Sequence, residues 1–323
     1  MEKHRIEKPV ADLFKRFQDD FLQALQSEVK TIRSAIEQIH VSNGKHIRPL
    51  LLLLTAEVCG KATSLSVESA VLIELLHTVS LIHDDVIDET KQRRGLPSIN
   101  AIYDNRIAVL VGDFILADTL IRAIRTGENQ IISIIAMLCR EMTEGEVKQL
   151  ENAESIELSE KEYFRILEKK TAALLAGCAE IGAITAGADW ELQARCKQFG
   201  SLLGYSFQIR DDIFDYFDNQ NIGKPSGNDI REGKITLPLL YAFDTTSANE
   251  KAIYVEMLQQ RQFTPENIAA LIEFAKEKGG IEYATSCMMD YKSKAIAIIE
   301  SFPPSEAKNS LLLLADYLVS RLK

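Results

Sequence analysis

The chain has 323 residues, 46% of them hydrophobic and 26% charged, the balance of a globular protein with enough chain for a large buried core. Eight prolines and sixteen glycines argue against a loop-rich β architecture, and a formal net charge of −10 argues against a nucleic-acid partner, which would need a basic face. Five scattered cysteines, Cys59, Cys139, Cys178, Cys196 and Cys287, never form a CxxC pair. They are expected as buried thiols in a reducing cytoplasm rather than as disulfides or zinc ligands.

Met1 to Pro9 is charged and carries no apolar signal core, so a cytoplasmic location is expected. From Val10 to Val41, Leu13, Phe17, Phe21, Leu25, Val29, Ile32, Ile36 and Ile39 recur at helical spacing and predict one amphipathic helix ending at Ser42-Asn43-Gly44. Pro49 opens a strongly apolar helix through Val58, with Gly60 as its stop. Such runs fall far short of the ~20 residues of a membrane span, which leaves at most peripheral contact with a membrane. A third helix, capped by Ser64 or Ser66, runs through Val71, Leu75, Val79 and Ile82 to the acidic phrase Asp84-Asp85-Val86-Ile87-Asp88. The basic loop Lys91 to Pro97 follows, then helical pattern over Ser98–Ile124 and Asn129–Leu150, and a capping box at Ser159.

No proline occurs between Pro97 and Pro225, which permits long unbroken helices. Trp190 to Tyr216 is another, ending in Asp211-Asp212-Ile213-Phe214-Asp215. The polar stretch Asn219–Lys234 reads as irregular, and further helices start at Thr264-Pro265 and after Pro303-Pro304. No linker and no short repeat is present, so a single all-α domain spanning 1–323, a helical bundle with a central cavity between long helices, is expected.

DDxxD thus occurs twice, at matching positions on two helices. With 18 Asp in 323 residues, one such motif arises by chance in about one chain in twenty and two in about one in a thousand. Each motif crowds carboxylates on one turn, which suits Mg²⁺, a hard cation held by a few carboxylates together with substrate phosphates. Iron or manganese would call for an ExxH pair, and no such pair accompanies these aspartates. Basic side chains gather in the loops: Lys45 and Arg48 at a helix start, Arg93 and Arg94 after the first motif, and Lys224, Arg231 and Lys234 after the second. They imply two anionic sites in an acidic protein.

Taken in order, GKxxRP at Gly44–Pro49, DDxxD followed by RRG at Asp84–Gly95, GExxQ at Gly145–Gln149 and Lys170-Thr171 lead to FQxxDDxxD at Phe207–Asp215. GKxxGxD at Gly223–Asp229 and EGKxTLP at Glu232–Pro238 complete the series. Through these motifs the chain resembles the trans-polyprenyl diphosphate synthases, in particular the medium- and long-chain, octaprenyl-like members.

The resemblance implies that Asp84, Asp85 and Asp88, with Asp211 and Asp215, bind Mg²⁺ at an allylic prenyl diphosphate whose oxygens Arg93, Lys170, Lys224 and Lys234 neutralise. It implies that Lys45, Arg48, His77 and Arg94 hold isopentenyl diphosphate without metal, that Thr171, Gln208 and Phe207 line the reaction centre, and that the protein is a homodimer. Product length would follow from a tunnel below Asp84 lined by Ser80, Val79, Leu76 and Ile73, with Phe114 or Leu120 from the helix after Gly112 as its floor. The small residues near its top predict a heptaprenyl-to-decaprenyl product, of the kind used for quinone side chains. A short-chain farnesyl or geranylgeranyl diphosphate synthase, or a non-catalytic subunit of a heteromeric synthase, stands as the alternative.

Overall fold

The computed structural model describes residues 2–41, 44–156, 159–217 and 226–319. The apolar period over Val10–Val41 resolves into two helices rather than one. After α1 (Glu2–Glu7), α2 (Ala11–Ala24) buries Phe14, Phe17 and Phe21, and α3 (Lys30–Val41) buries Ala35 and Ile36. Leu25 between them is extended, with φ −107° and ψ 120°. Apolar spacing continues across this break, which is why periodicity alone joins the two helices.

Leu50–Leu54 present no polar stripe, so a helix carrying them must be buried all round. In α4 (Ile47–Cys59) all five are fully buried, and Leu52→Ala would cost about 2–5 kcal/mol in lost burial and cavity. Helix α5 (Ser64–Ile87) is capped by Thr63, one residue before the expected Ser64: Thr63 N–H donates to Ser66 Oγ at 2.9 Å in a reciprocal capping box. This helix is long and apolar enough to cross a membrane, but its apolar window is 78% buried inside the protein.

A hairpin of β1 (Gln92–Arg93) and β2 (Leu96–Pro97) follows. Its turn residues Arg94 and Gly95 both have positive φ, 54° and 79°, as a two-residue type I′ turn requires. Asp104 caps a new helix start, accepting from Ile107 N–H at 2.9 Å. The segment read as one helix is therefore α6 (Ile99–Ile102) and α7 (Asn105–Arg125). Next come α8 (Asn129–Ser155), α9 (Glu160–Leu167), a π-helical turn at Glu168–Ala172, α10 (Ala173–Thr185), α11 (Trp190–Phe214) and α12 (Asn228–Arg231). The described chain closes with α13 (Leu237–Thr245), α14 (Ala248–Gln259), α15 (Pro265–Glu277), α16 (Gly280–Glu300) and α17 (Glu306–Val319). Among the described residues the hairpin is the only β structure, so the chain is all-α.

Contacts divide the chain into two interleaved compact units. The first comprises Met1–Arg140, Leu175–Gly200 and Ile299–Leu314, and its centre is α5, packed on α7, α4 and α2. The second comprises Glu141–Leu174, Ser201–Ile298 and Ala315–Lys323. One of its cores gathers Tyr216, Phe243 and Phe274, another Leu167, Ile209, Ile213 and Met288. All five cysteines are free thiols, with Cys178 and Cys196 buried.

Candidate active site

In the first unit, the last turns of α5 place Asp84 and Asp88 four residues apart on one face, both half-buried, while Asp85 turns inward. The Asp85 carboxylate is buried and accepts Arg93 Nε at 2.7 Å, and its carbonyl accepts from Asn100 Nδ2 at 3.0 Å. Ser98 Oγ donates to the Thr90 carbonyl at 2.7 Å. The hairpin is thereby tied to the motif, and Arg93 and Arg94 are carried on a short, rigid ribbon.

His46, His77, Arg93 and Arg94 line a cavity of about 60 Å³ together with Gly44 and Glu74, whereas the exposed Lys45 and the half-buried Arg48 are not among its lining residues. Arg48 Nη1 donates to His77 Nε2 at 2.9 Å. A guanidinium can only donate, so Nε2 is the unprotonated ring nitrogen. Burial first, and then the positive charges of Arg48, Arg94 and Arg93, hold the His77 pKa well below 6.5. His77 is thus a neutral acceptor that orients Arg48. One reading from the sequence is corrected here: Glu74 and His77 do form an ExxH spacing on the helix that carries the aspartates. They face His46 and Arg48 rather than a metal.

The second unit holds a cavity of about 180 Å³, lined among others by Tyr163, Lys170, Thr171, Gln208, Asp212 and Lys234. Lys170 and Thr171 lie on the π-helical turn, against which α8 packs closely. A Cβ at Gly145 would lie 3.0 Å from Lys169 Cβ and 3.1 Å from Lys170 N, so any side chain there would press on the turn. The next residue, Glu146, pairs with Lys170, and one turn on Gln149 Oε1 accepts from Lys170 Nζ at 3.4 Å. These contacts give GExxQ its physical meaning: close approach, counter-charge and orientation of one lysine.

A hydrogen-bonded chain crosses this cavity. Thr171 Oγ1 donates to Gln208 Oε1 at 2.8 Å, and Gln208 Nε2 donates to Asp212 Oδ1 at 2.8 Å. Tyr163 OH donates to Asp212 Oδ2 at 2.6 Å. Burial raises the Asp212 carboxyl to about 6, against the opposing effect of these hydrogen bonds. Asp215 accepts the backbone N–H groups of Asn228 and Asp229, each at 2.9 Å, and burial raises its pKa too. Burial, and then the charges of Asp212 and Asp215, push Asp229 well above the usual carboxylate range. Asp211 pairs with Arg210, which stacks over Phe207 at 4.6 Å. Lys234 Nζ donates to Glu232 at 2.6 Å, and Lys224 lies outside the described residues.

The sequence reading did not assign Tyr163 or Asp212. Asp212 could have been found as the motif aspartate on the inward face of α11; Tyr163 carries no comparable signal. Of the expected tunnel residues, Ile73, Leu76 and Val79 are buried, Ser80 and Phe114 are half-buried, and Leu120 is 38% exposed.

The donor set suits a hard divalent cation. Among the described residues, no three or more His, Cys, Asp or Glu side chains gather into an all-protein cage, and Asp85 and Asp215 already accept protein donors. The half-buried carboxylates of Asp84 and Asp88 instead fit Mg²⁺-type binding, in which waters and substrate phosphates complete the shell.

Comparison with known proteins agrees with this chemistry. Residues 29–275 match the polyprenyl synthetase family. An octaprenyl diphosphate synthase of Haemophilus influenzae is 37% identical over 303 residues, covering 94% of this chain and 92% of that protein. The solved polyprenyl synthase of Caulobacter crescentus CB15, complexed with calcium and isoprenyl diphosphate, has a TM-score of 0.92 at 31% identity, covering 99% and 98% of the two chains. A geranylgeranyl pyrophosphate synthase from Bacteroides thetaiotaomicron has a TM-score of 0.86 at 38% identity, covering 99% of each chain. The chain belongs to the polyprenyl synthetase family and is a trans-prenyltransferase of isoprenyl diphosphates.

Proposed function

We propose that this enzyme condenses an allylic diphosphate such as farnesyl diphosphate with successive isopentenyl diphosphates, giving an all-trans heptaprenyl-to-decaprenyl diphosphate for quinone side chains. The observation that carries the long product is the small pair Val79 and Ser80 one turn below Asp84, with Val79 buried. The octaprenyl relative at 37% identity supports the same reading. Ile73 and Leu76 continue the tunnel and Phe114 forms its floor. Leu120 is too exposed for that place, and with Leu110, Ile121 and Ile124, 60%, 48% and 64% exposed, it belongs to an apolar face on α7 that we assign to a homodimer. Five free thiols support a cytoplasmic location, and release of so apolar a product would bring the enzyme to a membrane surface. The whole chain, 1–323, acts as one synthase domain.

In the first unit Lys45, Arg48 and Arg94 bind the diphosphate of isopentenyl diphosphate without metal, with His77 holding Arg48. The residues assigned to the allylic diphosphate are Arg93, Lys170, Lys224 and Lys234, whose positive charges would neutralise its oxygens. Thr171 and Gln208 are fixed by Asp212 and Tyr163 so that they orient without acting as nucleophiles. Asp84, Asp85, Asp88, Asp211 and Asp215 would hold Mg²⁺. Bound Mg²⁺ supplies Lewis-acid stabilisation of the departing diphosphate. The lysines and arginines add fixed positive charge where negative charge develops, and apolar walls keep water from the allylic cation. The isopentenyl double bond then attacks that cation, forming one C–C bond, and a proton leaves to the released diphosphate.

Incubation of the purified protein with farnesyl diphosphate, isopentenyl diphosphate and Mg²⁺, followed by sizing of the products, tests this. Heptaprenyl to decaprenyl chains are expected. A stop at geranylgeranyl would favour a short-chain synthase, which the resemblance to the Bacteroides thetaiotaomicron geranylgeranyl pyrophosphate synthase also supports. No elongation from any allylic starter would overturn the reading.

A further inference from the structure

Between Lys45 and Arg48, the two cations assigned to isopentenyl diphosphate, stands His46, whose backbone is left-handed at φ 49° and ψ 44°. A non-glycine residue keeps such a conformation only where its surroundings enforce it. Here they do. The His46 ring is buried, with Nδ1 at 2.9 Å from Glu74 Oε1, itself buried. Phe17 and Phe21 pack edge-on against the ring at 5.3 and 5.7 Å. The carbonyl of His46 accepts from Leu50 N–H at 3.1 Å, so this same residue begins α4. The other ring nitrogen, Nε2, is buried without a partner, and His46, Glu74 and His77 all line the 60 Å³ cavity. Two side chains one turn apart on α5 therefore grip the start of α4: Glu74 takes His46, and His77 takes Arg48. The guanidinium of Arg94 lies against Gly44 on the other side of the loop.

We infer that Glu74 is a positioning residue for isopentenyl diphosphate. By holding His46 in its left-handed conformation it sets the directions of Lys45 and Arg48, and it aims His46 Nε2 into the cavity as a further polar contact for the diphosphate. This rests on the proposed function, since it takes that cavity as the isopentenyl diphosphate site. Glu74 touches no reacting atom, so its loss should weaken one substrate and leave the other alone.

The test is steady-state kinetics of wild-type and Glu74→Gln, varying each substrate in turn at saturating amounts of the other. Gln keeps the size and an acceptor oxygen but loses the charge of the bond to His46, and losing a charge-assisted hydrogen bond corresponds to about a tenfold effect. The expected result is a rise of about tenfold in KM for isopentenyl diphosphate, with KM for the allylic diphosphate and kcat unchanged, and with partial rescue by Glu74→Asp. An unchanged isopentenyl KM, or an equal rise in both KM values, would overturn the inference. If Glu74→Gln does not fold, His46→Gln reads the same split. Failure of the wild-type enzyme to elongate any starter would instead remove the functional reading, and the inference with it.

Discussion

Under the proposed function the first unit offers Lys45, Arg48, Arg93 and Arg94 and the second Lys170 and Lys234, and arginines and lysines are held by different partners. Arg48 and Arg93 are fixed by His77 and by the buried Asp85. Lys170 and Lys234 are held by the carboxylates of Glu146 and Glu232. A guanidinium is a planar fork that gains from being pre-aimed, whereas an ammonium is a point charge on a flexible stem. Under the proposed function, Arg48 is thereby pre-aimed at an isopentenyl diphosphate that is the same at every cycle. Under the same reading, Lys170 and Lys234 can follow an allylic diphosphate whose tail lengthens at each addition.

The aspartates provide the sharpest way to break this comparison. Asp84→Asn should lower kcat by about 10²–10³-fold in single-turnover assays, with isopentenyl diphosphate binding intact; a loss of isopentenyl binding would erase the distinction. Lys170→Ala should raise KM for the allylic substrate about tenfold, as expected for a lost charge-assisted contact, and leave the isopentenyl KM alone. Val79→Phe should shorten the product at similar turnover, read by chain-length analysis. Unchanged length would remove the tunnel from the account.

Two smaller effects concern how each region is held. His77 stays neutral when folded, with its pKa below the unfolded value of 6.5. As pH falls below that value the unfolded chain takes up a proton that the folded one refuses, so the stability present above it is lost on acidification. Thermal melts between about pH 7 and pH 5 should show this fall, and His77→Gln should flatten it. Gly145→Ala should cost about 1–3 kcal/mol by overpacking against the π-helical turn, measurable by denaturant unfolding, with the first unit's cavity unaffected.

Much of this site was legible from sequence because its chemistry is local. A carboxylate pair four residues apart, or two cations at a helix start, is fixed by spacing, and the helices at Asp84 and Asp211 stand where the apolar period puts them. What spacing could not show is which way a side chain turns once its neighbours are in place. Spacing alone does not show that the Asp85 carboxylate also accepts from Arg93, or that Asp215 also accepts two backbone amides. The π-helical turn bearing Lys170 lies close against Gly145, a tertiary fact with no periodic signature. Breaks at Leu25 and Asp104 were hidden because apolar spacing runs on across them. The partnership of Glu74 with His46 joins residues 28 apart in sequence that no local pattern connects.

The division between a metal-dependent and a metal-free anion site is tested most directly by calorimetric titration of each substrate alone, with Mg²⁺ and then with a chelator. The account predicts that the chelator abolishes farnesyl diphosphate binding and leaves isopentenyl diphosphate binding unchanged. Loss of both, or of neither, would contradict it.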